Sequence, residues 1–130
     1  MSQSIDYATL CSDPEQGRII RDIMVRVGDK WSLLVVGALA DGPVRFTALR
    51  DSIPGISQRM LTATLRGLAR DGLVTRRSYG EVPPRVEYEH TAVGRTLIAP
   101  AAALAAWAIE HRESIAEARR VADMVEIAGR

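Results

Sequence analysis

The chain has 130 residues, 47% of them hydrophobic and 25% charged, and these proportions exclude wholesale disorder and fit one globular domain with a core. Its single cysteine excludes an internal disulfide and fits a reducing compartment, so we expect a cytoplasmic protein. The formal net charge is only +1, but nine arginines and five acidic residues lie between Arg45 and Arg95, which indicates either an anion-binding surface or chance scatter.

The N-terminal part predicts an arm and two helices. We assign residues 1–14 to the arm, and Met1–Tyr7 has neither the basic cluster nor the apolar run of a signal peptide. Apolar residues at helical spacing predict an amphipathic helix over Glu15–Val27, which Gly28 ends. Lys30–Ala40 is apolar almost all round, which predicts a second helix inside the core.

A turn and a short helix come next. Asp41-Gly42-Pro43 is a turn, and a third helix is predicted near Thr47–Ser52 with Phe46 and Leu49 facing the core. Ile53-Pro54-Gly55 ends this helix, because the residue before a proline avoids the helical region and glycine permits a sharp reversal.

The fourth helix has the clearest boundaries. Ser57 can cap its N-terminus, Ile56 and Leu61 occupy the two positions of a hydrophobic staple, and Gly72 closes it in the left-handed conformation. One stripe of leucines at spacings of four and three is expected to face the core, formed by Leu61, Leu65 and Leu68.

A hairpin follows the fourth helix. Leu73–Tyr79 and Val86–Thr91 are rich in β-branched and aromatic residues, which predicts two strands. The connection Gly80–Arg85 contains two prolines and cannot lie inside a sheet, so it forms a stiff tip.

Two further helices complete the chain. Thr91 can cap a fifth helix that runs to about His111, and Ser114–Ala128 predicts a sixth. The apolar tract Leu97–Ile109 is interrupted by Pro100 and is shorter than a bilayer span, so we expect no membrane partner.

This order of elements predicts a mainly helical α+β fold, a winged helix-turn-helix. Residues 1–130 form a single domain in this interpretation, with helices and a two-stranded β-hairpin wing over residues 15–91. Residues 92–128 supply additional C-terminal helices for dimerisation, together with the N-terminal helix.

Packing the leucine stripe inward turns a basic face of the fourth helix outward. Arginine can donate two hydrogen bonds to guanine, threonine offers a hydroxyl and a methyl group, and alanine permits close approach to the base edges. This face predicts reading of the major groove of double-stranded DNA, and a solvated polar face is the alternative. The candidate DNA-binding residues of this helix are Ser57, Gln58, Arg59, Thr62, Ala63, Arg66 and Arg70.

Three arginines in the hairpin are further candidates for DNA contact. Arg76 and Arg77 point to opposite faces of the first strand, and the choice between them stays open. Arg85 stands beside two prolines at the tip and suits a narrow minor groove or the sugar-phosphate backbone. The alternative is cross-strand pairing of these arginines with Glu87 and Glu89.

The terminal helices carry more apolar residues than a small winged domain requires. Two copies joined through them would present two recognition helices about one DNA turn apart. The alternative is an intramolecular core. The predicted homodimer interface consists of Ile19, Ile23, Leu97, Ile98, Ala101, Leu104, Ala105 and Ala108.

Several strings resemble, in the same order, the HxlR family of winged helix-turn-helix regulators. The resemblance covers about residues 18–111. The matching segments are Gly28–Trp31, Gly42–Phe46, Pro54–Leu61, Leu68–Val74 and Glu81–Tyr88. The most specific string lies in the last of them and is Pro83-Pro84-Arg85-Val86-Glu87-Tyr88. Membership implies a DNA-binding homodimer that regulates transcription, sometimes in response to electrophiles or oxidants.

The resemblance makes Cys11 a candidate redox sensor. In the family the response often uses a cysteine just ahead of the first helix, commonly followed at once by proline, whereas Cys11 precedes Ser12-Asp13-Pro14. A sensor thiol needs exposure and a nearby helix N-terminus or cation, and Asp13 and Glu15 oppose thiolate formation. A plain or partly buried cysteine is the alternative.

We therefore predict a sequence-specific, double-stranded-DNA-binding transcriptional regulator and not an enzyme. His90 and His111 lack metal-ligand spacing to Cys11, and no phosphate-binding glycine loop is present, so no metal or cofactor is expected. One alternative is a winged module for protein–protein contact. Another is the same regulator gated by thiol oxidation or by a small-molecule effector, with Trp31 and Trp107 lining a pocket at the dimer interface.

Overall fold

The computed structural model describes residues 5–129, and this part of the chain contains eight helices and three short strands. In chain order they are α1 (Tyr7–Leu10), α2 (Pro14–Val27), α3 (Ser32–Ala38), β1 (Val44–Arg45), α4 (Phe46–Ser52), α5 (Gln58–Arg70), β2 (Val74–Tyr79), β3 (Arg85–His90), α6 (Ala92–Arg95), α7 (Ile98–Glu110) and α8 (Arg112–Ala128). The predicted winged helix-turn-helix architecture is confirmed, with α5 followed directly by the β2–β3 hairpin.

The core lies between α3, α4, α5 and the sheet. Its most deeply buried apolar side chains come from these helices and from the residue that follows α3, and they are Val35, Val36, Leu39, Leu49, Leu61, Leu65 and Leu68. All three predicted stripe leucines of α5 are therefore internal. Phe46 and Tyr88 pack together at the edge of this core, with ring centroids 6.4 Å apart.

Both ends of α5 follow the local rules that the sequence predicts. The Ser57 hydroxyl accepts a hydrogen bond from the Met60 amide at 3.1 Å, and Ile56 and Leu61 are buried as a staple. At the other end, Gly72 has φ of +75°, and the Leu73 amide donates to the Leu68 carbonyl at 2.9 Å. This is a Schellman closure, which sends the chain from α5 into β2.

The sheet is antiparallel, in the order β1-β3-β2. The β2–β3 hairpin is the predicted one, and its pairing runs from Val74↔His90 to Tyr79↔Arg85. Strand β1 was not predicted, because two residues are too few to show the alternation of a strand. It exists through long-range pairing of Val44 with Tyr88.

One junction fixes the hairpin relative to α5 and to α6. The Thr91 hydroxyl donates to the Gly72 carbonyl at 2.6 Å and accepts from the Gly94 amide at 3.0 Å, as the predicted cap of the following helix. A Cβ atom at Gly94 would overlap the Leu73 carbonyl oxygen, so this position requires glycine. His90 is 5% exposed and its Nε2 lies 2.8 Å from the Val36 carbonyl oxygen, which ties β3 to α3.

The predicted fifth helix from Thr91 to about His111 is wrong in one respect, because it is two helices. Residues 96 and 97 form a turn between α6 and α7. Pro100 has no amide hydrogen to donate to the Thr96 carbonyl and its ring crowds that carbonyl, so a continuous helix cannot form there.

The apolar stretch is also longer than the tract Leu97–Ile109 that the sequence predicts, because it extends back through α6. By length and composition alone, the 19 residues of Ala92–Glu110 could cross a membrane, with a mean hydropathy of 1.5. In this fold α7 packs against α3 through one side, where Ala101 is 7% exposed. Most of its remaining apolar surface faces outward.

The N-terminal helices differ from prediction in their boundaries. Helix α1 lies inside the predicted arm, and a single turn of four residues gives no periodic signal. Helix α2 begins at Pro14, one residue before the predicted start, with the Asp13 carboxylate accepting from the Glu15 amide at 3.0 Å. The α3 side chains are not all internal, since Leu34 is 53% exposed.

The Asp29 carboxylate organises the start of α3, which begins two residues later than predicted. It accepts hydrogen bonds from the Trp31 amide at 2.8 Å and from the Ser32 amide and hydroxyl, each at 2.7 Å. Partial burial alone would raise the pKa of Asp29, but these hydrogen bonds and the nearby charge of Arg26 outweigh it and hold the pKa below its ordinary value.

We expect Asp29→Ala to lower the free energy of unfolding at neutral pH by about 1 kcal/mol, the typical effect of losing a helix cap. Because folding depresses this pKa, the charge-dependent part of the effect is present above the ordinary pKa of 3.8 and is lost as pH falls through the folded value. Urea unfolding at pH 7 and at pH 3 measures the total loss of stability and its charge-dependent part. The stability gap between wild type and variant should narrow at the lower pH, and an equal gap at both would contradict this role. Asp29→Asn, which keeps an acceptor without a charge, isolates the electrostatic part.

Candidate nucleic-acid interface

The outward face of α5 carries a row of polar and basic side chains on a shallow concave surface. It is lined by Gln58, Arg59, Thr62, Ala63 and Arg66. Burial of the leucine stripe on the opposite side orients this row toward solvent. Within residues 5–129, the guanidinium groups of Arg59, Arg66 and Arg70 form no ion pair, so their N–H groups remain available.

A second concave surface extends the first toward the hairpin. It lies between α5 and the sheet and is lined by Thr62, Leu65, Arg66, Ala69, Arg76 and Tyr88. Arg76 therefore lies on the same side as the α5 row, and among the described residues it has no ion-pair partner. The structure thus distinguishes Arg76 from Arg77, which the sequence could not.

Arg77 lies on the opposite face of the hairpin. One of its Nη atoms is 2.8 Å from a Glu89 carboxylate oxygen. The Tyr79 hydroxyl and the Glu89 carboxylate raise the pKa of Arg77 above its ordinary value. Arg77 is therefore paired across the strands with a glutamate, which was the alternative to DNA contact.

Arg85 is paired on that same face. Its guanidinium lies 3.8 Å above the Tyr79 ring, and its Nη2 is 3.1 Å from Glu81. Its Nε is buried and 3.9 Å from Glu87, and it makes no hydrogen bond in the part of the chain described. Tyr79 completes the cluster by donating from its hydroxyl to Glu87 at 3.1 Å. The predicted contact of Arg85 with DNA therefore competes with an existing intramolecular network.

Arg26 of α2 braces the C-terminal end of α5, and sequence reasoning did not identify it. Its Nε donates to the Asp71 carboxylate at 2.7 Å, and both side chains are about one quarter exposed. The Arg26 guanidinium crosses α5 at Gly67, where a Cβ atom would overlap it. A glycine inside an otherwise regular helix was the only sequence signal of this close approach.

The predicted dimer residues divide into exposed and internal groups. Ile19 and Leu104 are 55% and 53% exposed, and Ala105 and Ala108 are also exposed. In contrast, Ile23, Leu97 and Ile98 are half-buried within one chain. Ala101 belongs to the intramolecular core, so it is removed from the predicted interface.

Further exposed apolar side chains lie on α7 and α8 and were not included in the predicted interface. They are Trp107, Ile109, Val121, Met124, Val125 and Ile127. Trp107 stacks on His111, with ring centroids 4.9 Å apart. Trp31, the other tryptophan of the predicted effector pocket, packs against the core instead.

Cys11 lies at the end of α1, half-buried against the first turns of α2. A Cβ atom at Gly17 would lie 3.3 Å from the Cys11 Cβ and 3.2 Å from an Nη atom of Arg21, so Cys11 and the Arg21 guanidinium both pack beside Gly17 of α2. Among the described residues, no group of three or more histidine, cysteine, aspartate or glutamate side chains is arranged to hold a metal ion.

The comparisons with known proteins agree with this geometry. The model of the HxlR-like helix-turn-helix family matches residues 26–116. An HTH-type transcriptional regulator of Methanothermobacter thermautotrophicus is 49% identical over 81 residues, which is 62% of this chain and 62% of that protein.

Two solved structures share the fold. The ytfH transcriptional regulator from Salmonella typhimurium has a TM-score of 0.71 at 37% identity and covers 78% of this chain and 90% of its own. The redox regulator HypR in its reduced form has a TM-score of 0.70 at 36% identity and covers 76% of this chain and 98% of its own.

Proposed function

Because this chain belongs to the HxlR-like helix-turn-helix family and is a transcriptional regulator of the winged helix-turn-helix type, we propose that it binds specific sites in double-stranded DNA as a homodimer. The observation that carries this proposal is the arginine row of α5, continuous with Arg76 and free of intramolecular carboxylates in residues 5–129. Such unpaired guanidinium groups can displace the counterions of the phosphate backbone.

The spacing of the row suits the major groove. Arg59 and Arg66 are seven residues apart, which is about 10 Å along a helix axis and about three base pairs of B-DNA. Both can donate in bidentate fashion to guanine, while Thr62 and Ala63 between them leave room for base edges. Ser57 and Gln58 lie at the N-terminus of α5 and would contact phosphate or a base. Arg70, one turn beyond Arg66, lines a separate surface with Asp22, Arg26 and Asp71 and would contact the flanking backbone.

A homodimer accounts for the apolar surface of the terminal helices. Monomeric proteins rarely expose large contiguous apolar patches, and here α7 and α8 expose several large side chains in addition to Ile19 of α2. A two-fold interface that pairs this surface with itself would cover it and place two copies of α5 on one side of a DNA duplex.

We expect Arg66→Ala to weaken binding to the preferred DNA site by about 1–3 kcal/mol and to relax the preference at one base pair. Arg95→Ala is the control, because Arg95 is an exposed arginine outside the α5 row. Binding is measured by fluorescence anisotropy on duplexes that the wild type selects from a random-sequence pool. Equal losses in both variants would contradict base reading by Arg66. Failure of the wild type to bind any duplex at low salt would favour the protein-contact module.

We expect Leu104→Glu to dissociate the dimer, because burying a charge in an apolar interface is unfavourable. Leu34→Glu is a matched control, since Leu34 and Leu104 are each 53% exposed but lie on different helices. Sedimentation equilibrium gives the molar mass of each variant. A wild type that is monomeric at micromolar concentration, or a Leu104→Glu variant that stays dimeric, would contradict the assigned interface.

Thiol oxidation at Cys11 is the second element of the proposal, favoured by the likeness to the redox regulator HypR and by the neighbouring Arg21. We expect diamide to release the wild type from DNA and to leave Cys11→Ser bound. Since the chain has one cysteine, the oxidised form must join a second subunit or a small thiol, which non-reducing electrophoresis and mass spectrometry distinguish. A wild type that stays bound in diamide would remove Cys11 from the regulatory scheme.

A further inference from the structure

The tip of the hairpin differs in chemistry from the surface beside α5. Val82 is 99% exposed, Pro83 and Pro84 are also exposed, and none of the three carries a charge. The basic residue next to them, Arg85, is turned back onto the hairpin, where 28% of its side chain is exposed. The outermost point of the wing is therefore apolar.

Arg85 is poorly placed to bind a phosphate. Its Nη2 is 3.1 Å from Glu81, its Nε is buried near Glu87, and one face of its guanidinium lies on the Tyr79 ring. A bidentate contact with phosphate needs two adjacent free N–H groups. A contact through Nε and Nη2 would have to uncover the buried Nε, break the pairing of Nη2 with Glu81 and leave that carboxylate beside the DNA backbone.

The charges on this face of the hairpin support the same conclusion. The hairpin carries three arginines, Arg76, Arg77 and Arg85, and three glutamates, Glu81, Glu87 and Glu89, so its charges balance when Arg85 is present. Removing Arg85 would leave a negative excess at the tip. A negative tip would be repelled by DNA held on the adjacent α5.

The position of the tip matches the groove next to the one that α5 would occupy. Arg76 lines the surface beside Arg66 of α5, and the last strand pair, Tyr79↔Arg85, lies three residues further along β2. Three residues of a strand span about 10 Å, so with α5 in a major groove the tip would extend past one DNA strand toward the adjacent minor groove, which is about 6 Å wide.

We infer that the wing meets the minor groove through the uncharged tip Val82-Pro83-Pro84, and that Arg85 is a positioning residue that neutralises Glu81 and Glu87 and holds the tip on Tyr79. The inference rests on the proposed DNA binding and changes the role that the sequence predicts for Arg85. Apolar side chains in minor grooves contact sugars and base steps, so this tip reads groove shape without adding phosphate contacts.

Two arginines of the same hairpin provide a matched comparison. Arg76→Ala removes an unpaired arginine beside α5, and Arg85→Ala removes the paired one at the tip. The affinity of each variant is measured over a range of salt concentrations on a duplex that the wild type selects from a random-sequence pool. Arg76→Ala should lower the slope of log affinity against log salt by about 1, as the loss of one phosphate contact does. Arg85→Ala should weaken binding roughly 2- to 5-fold, the size of a surface charge effect, and should change the slope by much less than Arg76→Ala does, because it breaks no phosphate contact.

The double variant Glu81→Gln/Arg85→Ala tests neutralisation directly. It should recover most of the affinity that Arg85→Ala loses, because the exposed carboxylate is gone. A slope lowered by about 1 in Arg85→Ala would identify a phosphate contact and overturn the inference. A double variant that binds no better than Arg85→Ala would also overturn it.

Contact by the tip is tested separately at Val82, where substitution leaves the core untouched. Val82→Glu should weaken binding roughly tenfold, and Val82→Gln, which is similar in shape but uncharged, by less. Wild-type affinity in Val82→Glu would show that the tip does not approach DNA. A wild type that binds no duplex would refute the proposed function itself, and circular dichroism with thermal melting confirms that each variant is folded.

Discussion

The burial of one leucine stripe on α5 is the constraint on which the rest of the surface depends. Leu61, Leu65 and Leu68 are at most 2% exposed, and burying each is worth about 1.5–3 kcal/mol relative to exposure. Rotating α5 about its axis would expose this stripe, so the helix has one stable orientation. The burial of the leucines on one side of α5 therefore directs the arginines on its opposite side toward solvent, and the arginines need no contacts of their own to point there.

The second constraint is the junction between α5, the hairpin and α6. The hydroxyl of Thr91 bridges the carbonyl of Gly72 and the amide of Gly94, and the glycine at 94 permits close packing on Leu73. This junction sets the angle between helix and wing. On one side of it, α5 and Arg76 carry arginines without ion pairs among the described residues, and on the other, Arg77 and Arg85 of the wing are paired with glutamates.

Helix α2 connects the proposed dimer surface to the recognition helix. It exposes Ile19, packs beside Cys11 near its start, and reaches the end of α5 through the ion pair of Arg26 with Asp71. A displacement of α2 would therefore act on the C-terminal end of α5 through that ion pair. The regulatory proposal for Cys11 and the DNA-binding proposal for α5 meet at this helix.

Sequence alone determined the elements whose signals are local. The caps at Ser57 and Thr91, the glycine closure at Gly72 and the leucine period of α5 depend on residues within one or two turns of each other. Tertiary structure alone decided features that join distant residues. Strand β1, the bracing by Arg26 and the separate environments of Arg76, Arg77 and Arg85 arise from contacts across the fold, where identical guanidinium groups differ only in which carboxylates and rings the folded chain places beside them.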